Sequence, residues 1–209
     1  MKRIYSRVIL FAIAITLVTS MAWAADKYTR PKVEYSADSI METEQMTMTA
    51  KVYSAPDKER REQEIEQTKQ ILITRWDKKV VWTLMPDQGM YMEMELKENN
   101  EKSADLSGYK IEQSVVGTEV VNGVKTTKNK VIMTDPKGNK FGGFMWTTKE
   151  GIMVKMDAIG KSEDSKMRIK MDLKNLKIEK QDPGLFEIPE GLHKMSIPKF
   201  GNPFKGLFK

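Results

Sequence analysis

Cysteine is absent from the 209 residues. No disulfide and no thiolate chemistry is therefore open to the chain, and its stability must come from a packed core. Histidine occurs once, as His193. That excludes multi-histidine metal sites and leaves any Ser-His-Asp arrangement resting on one residue near the C-terminal end, whose plainer place is a surface loop after Gly191. No Walker-type loop and no Gly-x-Ser-x-Gly elbow occurs. Glu93 and Glu95 form a carboxylate pair, but they fall on the outward phase of a strand pattern. These absences predict a protein that is not an enzyme and needs no metal or cofactor.

Charge of one sign is lacking as well. The chain carries 35 basic and 29 acidic residues, a formal charge of +6. The two signs alternate, as in Lys58-Glu59-Arg60-Arg61-Glu62, so no broad field of the kind nucleic-acid binders use is expected. Nucleic acid is excluded as an expected partner.

Long apolar runs are missing except at the start. Lys2, Arg3 and Arg7 precede the uncharged stretch from Val8 to Val18, and Ala22-Trp23-Ala24 places small residues where a signal peptidase reads. Cleavage after Ala24 is predicted. A retained anchor would need roughly 20 apolar residues, and Thr16, Thr19 and Ser20 interrupt the run. A lipoprotein would need cysteine as its first mature residue. The expectation is an exported periplasmic chain of residues 25–209, with 32 basic and 29 acidic residues and a charge of +3.

What is present is a period of two. Met46, Met48, Ala50 and Val52 alternate with Thr47, Thr49, Lys51 and Tyr53; Met90, Met92, Met94 and Leu96 alternate with Tyr91, Glu93 and Glu95. Met167, Ile169, Met171 and Leu173 repeat the pattern against Arg168, Lys170, Asp172 and Lys174. Each reads as a half-buried strand. Turn signals separate the runs: Pro86-Asp87-Gln88-Gly89, Asn122-Gly123, Asp135 to Asn139, and Lys149-Glu150-Gly151. Asn122-Gly123 is the sharpest, because a type I′ hairpin turn requires positive φ at both positions. Helix signals are few: a short helix or loop over Glu98–Leu106, and one turn at Asp182–Phe186 closed by Pro189. The prediction is a mostly β fold, one strongly curved antiparallel sheet of about 10–11 hairpin-joined strands with few short helices, forming an open half-barrel.

Methionine is plentiful, with 16 copies, and many fall on the phase that would face the concavity: Met46, Met48, Met90, Met92, Met94, Met156, Met167 and Met171. An unbranched, polarisable side chain repacks around varied apolar partners, which suits acyl chains held without one fixed pose. An ordinary methionine-rich core is the plainer alternative, and composition does not separate the two.

The stretches Tyr35-Ser36-Ala37-Asp38, Lys58 to Glu62, Ile71 to Trp82 and Met85 to Glu93 resemble the periplasmic lipoprotein carrier (LolA/LolB-like) superfamily, in an outer-membrane lipoprotein-sorting-like branch. Gly117 to Lys128, Trp146 to Met156 and Phe186 to Gly191 are similar to its later segments. The likeness spans roughly residues 33–195. It implies an open half-barrel whose apolar cavity receives lipid chains. Little sequence lies between Ala25 and Val33, where the carriers place a covering helix, so the implication extends to an amphipathic ligand and not to lipoprotein transport itself.

The candidate ligand-binding set is Met46, Met48, Arg75, Trp82, Met90, Met92, Met94, Trp146, Met156 and Met171. Arg75, in phase with Ile71 and Ile73, either points into the concavity to meet a head group or is paired internally with a group such as Glu62 or Glu93. Trp82, Tyr91 and Trp146 either line a ligand mouth or rim the core.

Residues 25–195 are expected to form the β domain. The tail, 196–209, carries Phe200, Phe204 and Phe208 among Lys199, Lys205 and Lys209, and reads as a loose terminus or as a basic-aromatic peptide for a membrane surface or an envelope protein. The functional expectation is a periplasmic carrier of a lipid or acylated protein, with a regulatory or scaffold protein on the same fold as the alternative.

Overall fold

The computed structural model describes residues 30–65, 67–96, 110–135, 138–161 and 166–195. The segment expected to be a signal peptide, the C-terminal tail and the stretch Glu98–Leu106 fall outside these residues. Twelve strands make one sheet: β1 (Tyr35–Thr43), β2 (Thr47–Ala55), β3 (Lys58–Ile65), β4 (Thr68–Arg75), β5 (Val80–Met85), β6 (Met90–Glu95), β7 (Lys110–Val121), β8 (Val124–Thr134), β9 (Lys140–Thr147), β10 (Met153–Lys161), β11 (Lys166–Ile178) and β12 (His193–Lys194). The strand beyond the ten or eleven that the alternation predicts is β12, two residues that run parallel to β6 and are too short to display a sequence pattern. The only helical pieces among the described residues are 3₁₀ turns at Pro86–Gln88 and Pro183–Phe186. The second is capped by Asp182, whose side chain accepts from the Gly184 amide at 2.9 Å.

The order is β12-β6-β5-β4-β3-β2-β1-β11-β10-β9-β8-β7. Two antiparallel meanders, β1 to β6 and β7 to β11, are joined by the antiparallel pairing of β1 with β11. Asn122 and Gly123 take φ of 49° and 80° in the β7–β8 hairpin, as a type I′ turn requires.

One face of the sheet is inner. Met41, Val52, Met156, Ala158, Ile169 and Met171 are buried, and their registers place them on one side. Lys51, Asp157 and Lys170 alternate onto the other. No described element lies over the inner side, so the sheet itself must supply the cover by curling. The β7–β8 hairpin tip records the curl: the Asn122 side-chain Nδ2 donates to the Leu173 carbonyl of β11 at 2.8 Å. In a flat sheet β8 and β11 would stand roughly 14 Å apart. The edges β7 and β12 do not meet, so the sheet stays open.

The outer side of β3 to β6 is covered differently. Phe186 packs there on Ala55, Ile71, Ile73, Trp82 and Leu84, and Arg60 donates to the Leu185 carbonyl at 2.9 Å. From Gln70 to Arg75 on β4, and along β5, both faces are thus buried or half-buried, and for that reason Ile71-Leu72-Ile73 runs apolar without alternation.

Candidate functional site

The inner face has two methionine fields with a polar belt between them. On β5 and β6, Met85 stands opposite Met90, Thr83 opposite Met92, and Val81 opposite Met94. Met85, Met90 and Met92 are half-buried and Met94 is 43% exposed. At the far end Met41, Met133, Met145, Met156 and Met171 are buried in the main apolar cluster, with Met48 packed on it.

The belt comes from β3 and β4. Period-two alternation puts Glu59, Arg61 and Gln63 on the inner side, opposite Thr74, Leu72 and Gln70. Gln63 donates to Gln70 at 2.7 Å, and Arg61 Nε donates to Glu59 Oε1 at 2.7 Å. The Arg61 side chain retains only 16% of its accessible surface. Glu59 engages Nε alone, and no other described residue accepts from the terminal nitrogens. Burial works against the Arg61 cation, but the adjacent Glu59 carboxylate holds its pKa above the ordinary value.

Tyr35 closes the belt from β1, beside Ser54. Its phenol is pushed up to about 12, first by burial and then by the charge of Glu59. The neutral form is favoured in the fold, so this contribution to stability is complete below pH 10 and lost as pH rises from 10 through 12, roughly 3 kcal/mol in all. Alkaline absorbance titration should therefore show one phenol ionising near 12 that disappears in Tyr35→Phe. A Tyr35→Phe difference that titrates near 10 would contradict this environment.

The sequence candidates divide between the two faces. Met48, Met90, Met92, Met94, Met156 and Met171 lie on the inner face. Met46 sits in the turn before β2, where its amide donates to the Thr43 hydroxyl at 3.2 Å. Arg75 and Trp82 stand on the outer side, in register with Lys58 and Ile73. Arg75 is paired internally, with Asp77, Glu187 and the Phe186 carbonyl in place of Glu62 or Glu93. Trp82 donates to Glu93 at 2.9 Å, and Tyr91 packs on the same outer cluster. Trp146 also faces outward, with its indole N–H on Glu119 at 2.9 Å and Lys128 and Lys155 over its ring. For Arg75 and Trp82 the physical reason is the C-terminal segment: it buries the outer side of β3 to β5, so an apolar neighbourhood there does not mark the concavity. Trp146, on β9, is held on the outer side by Glu119 and the two lysines instead. The sequence reading misses Glu59 and Arg61, because they sit within a run of alternating charge that looks solvated. Their one available signal is the odd-even split of Lys58 to Glu62 across a strand.

Among the described residues no group of three or more His, Asp or Glu side chains is placed to hold a metal ion, and no helix is long and apolar enough to cross a membrane.

The arrangement defines a class of open, single-sheet proteins with an apolar inner face. The model of a family described as a domain of unknown function, DUF4412, matches residues 36–158, and the chain belongs to that family. Among solved structures, the chain is similar to an uncharacterized conserved protein from Thermus thermophilus, at 10% identity over 78% of this chain and 90% of that one, with a TM-score of 0.54. Others include the LolA superfamily protein NE2245 from Nitrosomonas europaea, at 12% identity over 81% and 97% with a TM-score of 0.40, and the Mycobacterium tuberculosis lipoprotein LppX, at 13% over 77% and 94% with a TM-score of 0.43. No curated protein matches the sequence. At these identities the likeness concerns the fold alone, and LolA-superfamily structures are among those the chain is similar to.

Proposed function

We propose that the chain is a non-catalytic binding protein of the cell envelope, exported with removal of residues 1–24, that holds an amphipathic, acyl-bearing ligand against its inner face. The observation that carries this reading is the β5–β6 methionine field: four adaptable side chains on the inner phase, none fully buried, beside a belt whose Arg61 has terminal nitrogens to offer. Methionine would follow the chain of the ligand, and Arg61 would meet an acceptor oxygen at its polar end. The test is mass spectrometry of protein purified from periplasm without detergent, intact and after organic extraction. A stoichiometric lipid or acylated species supports the reading; a clean apo mass with nothing extractable rejects it.

Met92→Trp separates a ligand site from a filled core. A ligand-holding face should lose uptake of an acyl probe at least about tenfold with little loss of stability. A packed core should instead lose about 1–3 kcal/mol by overpacking.

A second reading, a regulator or scaffold acting through a protein partner, is favoured by β7. This edge strand has no further neighbour among the described residues, and it leaves Val115 at 71% and Val120 at 73% exposed. Such an edge can accept an added strand. A clean apo mass, with a partner whose capture is lost on placing proline at Val116, would move the assignment there.

A further inference from the structure

Charge is unevenly shared between the two meanders. Residues 30–96 hold ten basic and thirteen acidic side chains, whereas residues 110–178 hold fourteen basic and eight acidic. The excess in the second meander gathers on its outer face. The alternation that buries Val131, Met145 and Met156 turns Lys130, Phe144 and Lys155 outward, and Phe144 and Ile159 remain 36% and 37% exposed at the middle of this face.

One detail runs against folding stability. Lys161 is the register partner of Lys140 on one side and of Lys166 on the other. Three like charges abreast on one face destabilise a sheet, and among the described residues none of the three is in an ion pair. Nearby, Lys128 lies 4.9 Å over the rings of both Phe144 and Trp146.

We propose that the outer face of β8 to β11 is a docking surface for an anionic phospholipid bilayer. The charges complement such a surface. They are spread over the width of four strands and are nearly all lysine, a non-directional point charge that suits a diffuse anionic plane better than the forked recognition of one carboxylate. The one arginine there, Arg168, is already held by Asp157 at 2.8 and 2.6 Å. Phe144 and Ile159 supply apolar contact at the level of the head groups. The face is separate from the inner ligand face, so docking would bring the carrier to a membrane with its concavity turned away.

The experiment is flotation of the purified chain with vesicles of phosphatidylcholine alone and with about 30% phosphatidylglycerol. Binding is expected only to the anionic vesicles, and it should vanish in about 0.5 M salt. Lys161→Glu would pair with Lys140 and Lys166, so it should leave thermal stability unchanged or raised while weakening vesicle binding at least about fivefold. The combined Lys130→Glu, Lys140→Glu, Lys161→Glu variant should weaken it about a hundredfold or more. A chain shortened after Met195 should keep most of its binding. The proposal is overturned if the wild-type chain ignores anionic vesicles, or if the charge-reversed variants bind as well as wild type. Loss of all binding on shortening would assign the effect to the tail and also overturn it. Self-association abolished by Lys161→Glu, without vesicle binding, would identify the face as a contact between copies instead.

Discussion

Arg75→Ala is expected to destabilise the protein by about 3 kcal/mol or more and to free the segment from Pro183 to Met195 from the sheet. Arg75 is buried at the end of β4, with Nε and Nη2 forked on Asp77 at 2.8 and 2.6 Å. Its Nη1 donates to the Phe186 carbonyl at 3.0 Å and to the Glu187 carboxylate. One guanidinium thus ties the strand end to the segment that brings Phe186 onto the outer cluster. Removing it leaves a buried carbonyl without a donor and Asp77 without its forked cation, while Glu187 keeps only Lys78. Arg75→Lys restores the charge but cannot reproduce the fork, so it should recover only part of the loss. Denaturant unfolding measures the cost, and hydrogen exchange at the β6–β12 amides reads the release. Equal protection there in Arg75→Ala and wild type would refute the clamp.

The clamp also sets an acid limit. The Arg75 fork holds the Asp77 carboxyl down to about 2, and Glu187 lies below the ordinary range because Arg75 and Lys78 outweigh its burial. A carboxylate whose folded pKa is depressed contributes fully above its unfolded value of about 4, and the contribution is lost as pH falls towards 2. Wild-type stability should therefore fall over this window, and the fall should be shallower in Arg75→Ala.

What can be read in the chain without its fold divides along physical lines. Strand phase is legible wherever one face meets water: Met90, Met92 and Met94 share a side, as do Met167, Ile169, Met171 and Leu173, because Glu93 or Lys170 between them marks the other side. Turn chemistry is legible at Asn122-Gly123 because few residue pairs accept two positive φ values. The side of Arg75 and Trp82 is not legible, since β4 and β5 are covered on both faces and their composition carries no polarity contrast. The union of the meanders through β1 and β11 is out of reach as well. Met41 meets Met171 across 130 positions of sequence, and no local pattern encodes such a pairing. Lys58 to Glu62 misleads in the opposite sense: alternating charge reads as a solvated face, yet Arg60 is buried under Leu185 while Arg61 turns to the inner belt.

Gly143→Ala is expected to be as damaging as any core truncation, although it adds one methyl group. Gly143 lies on β9 opposite Val131 and Ala158. A Cβ built there would stand 2.5 Å from the Ala158 Cα and closer still to the Asp157 carbonyl oxygen. Both obstacles are backbone of β10, so no side chain can turn aside to make room. In an ordinary antiparallel pair opposed Cα atoms are about 4.5–5.5 Å apart, and a side chain rises clear of its neighbour. Here β10 rides over the inner side of β9, which creases the sheet where the main apolar cluster is buried. Ala158, at 1% exposure, completes the close approach with the smallest side chain available. Forcing the strands apart should cost about 3 kcal/mol or more and loosen the packing of Met145 against Met156. Gly160→Ala is the matched control: its Cβ would meet only the Phe141 ring at 3.6 Å and the Met167 carbonyl at 3.9 Å. That substitution should be neutral or stabilise by up to about 1 kcal/mol, because alanine has fewer unfolded conformations to lose. Paired denaturant melts decide the matter. Similar midpoints for the two variants would mean that the crease is not what curves this sheet, and the curl would then rest on the Asn122 bond to β11 alone.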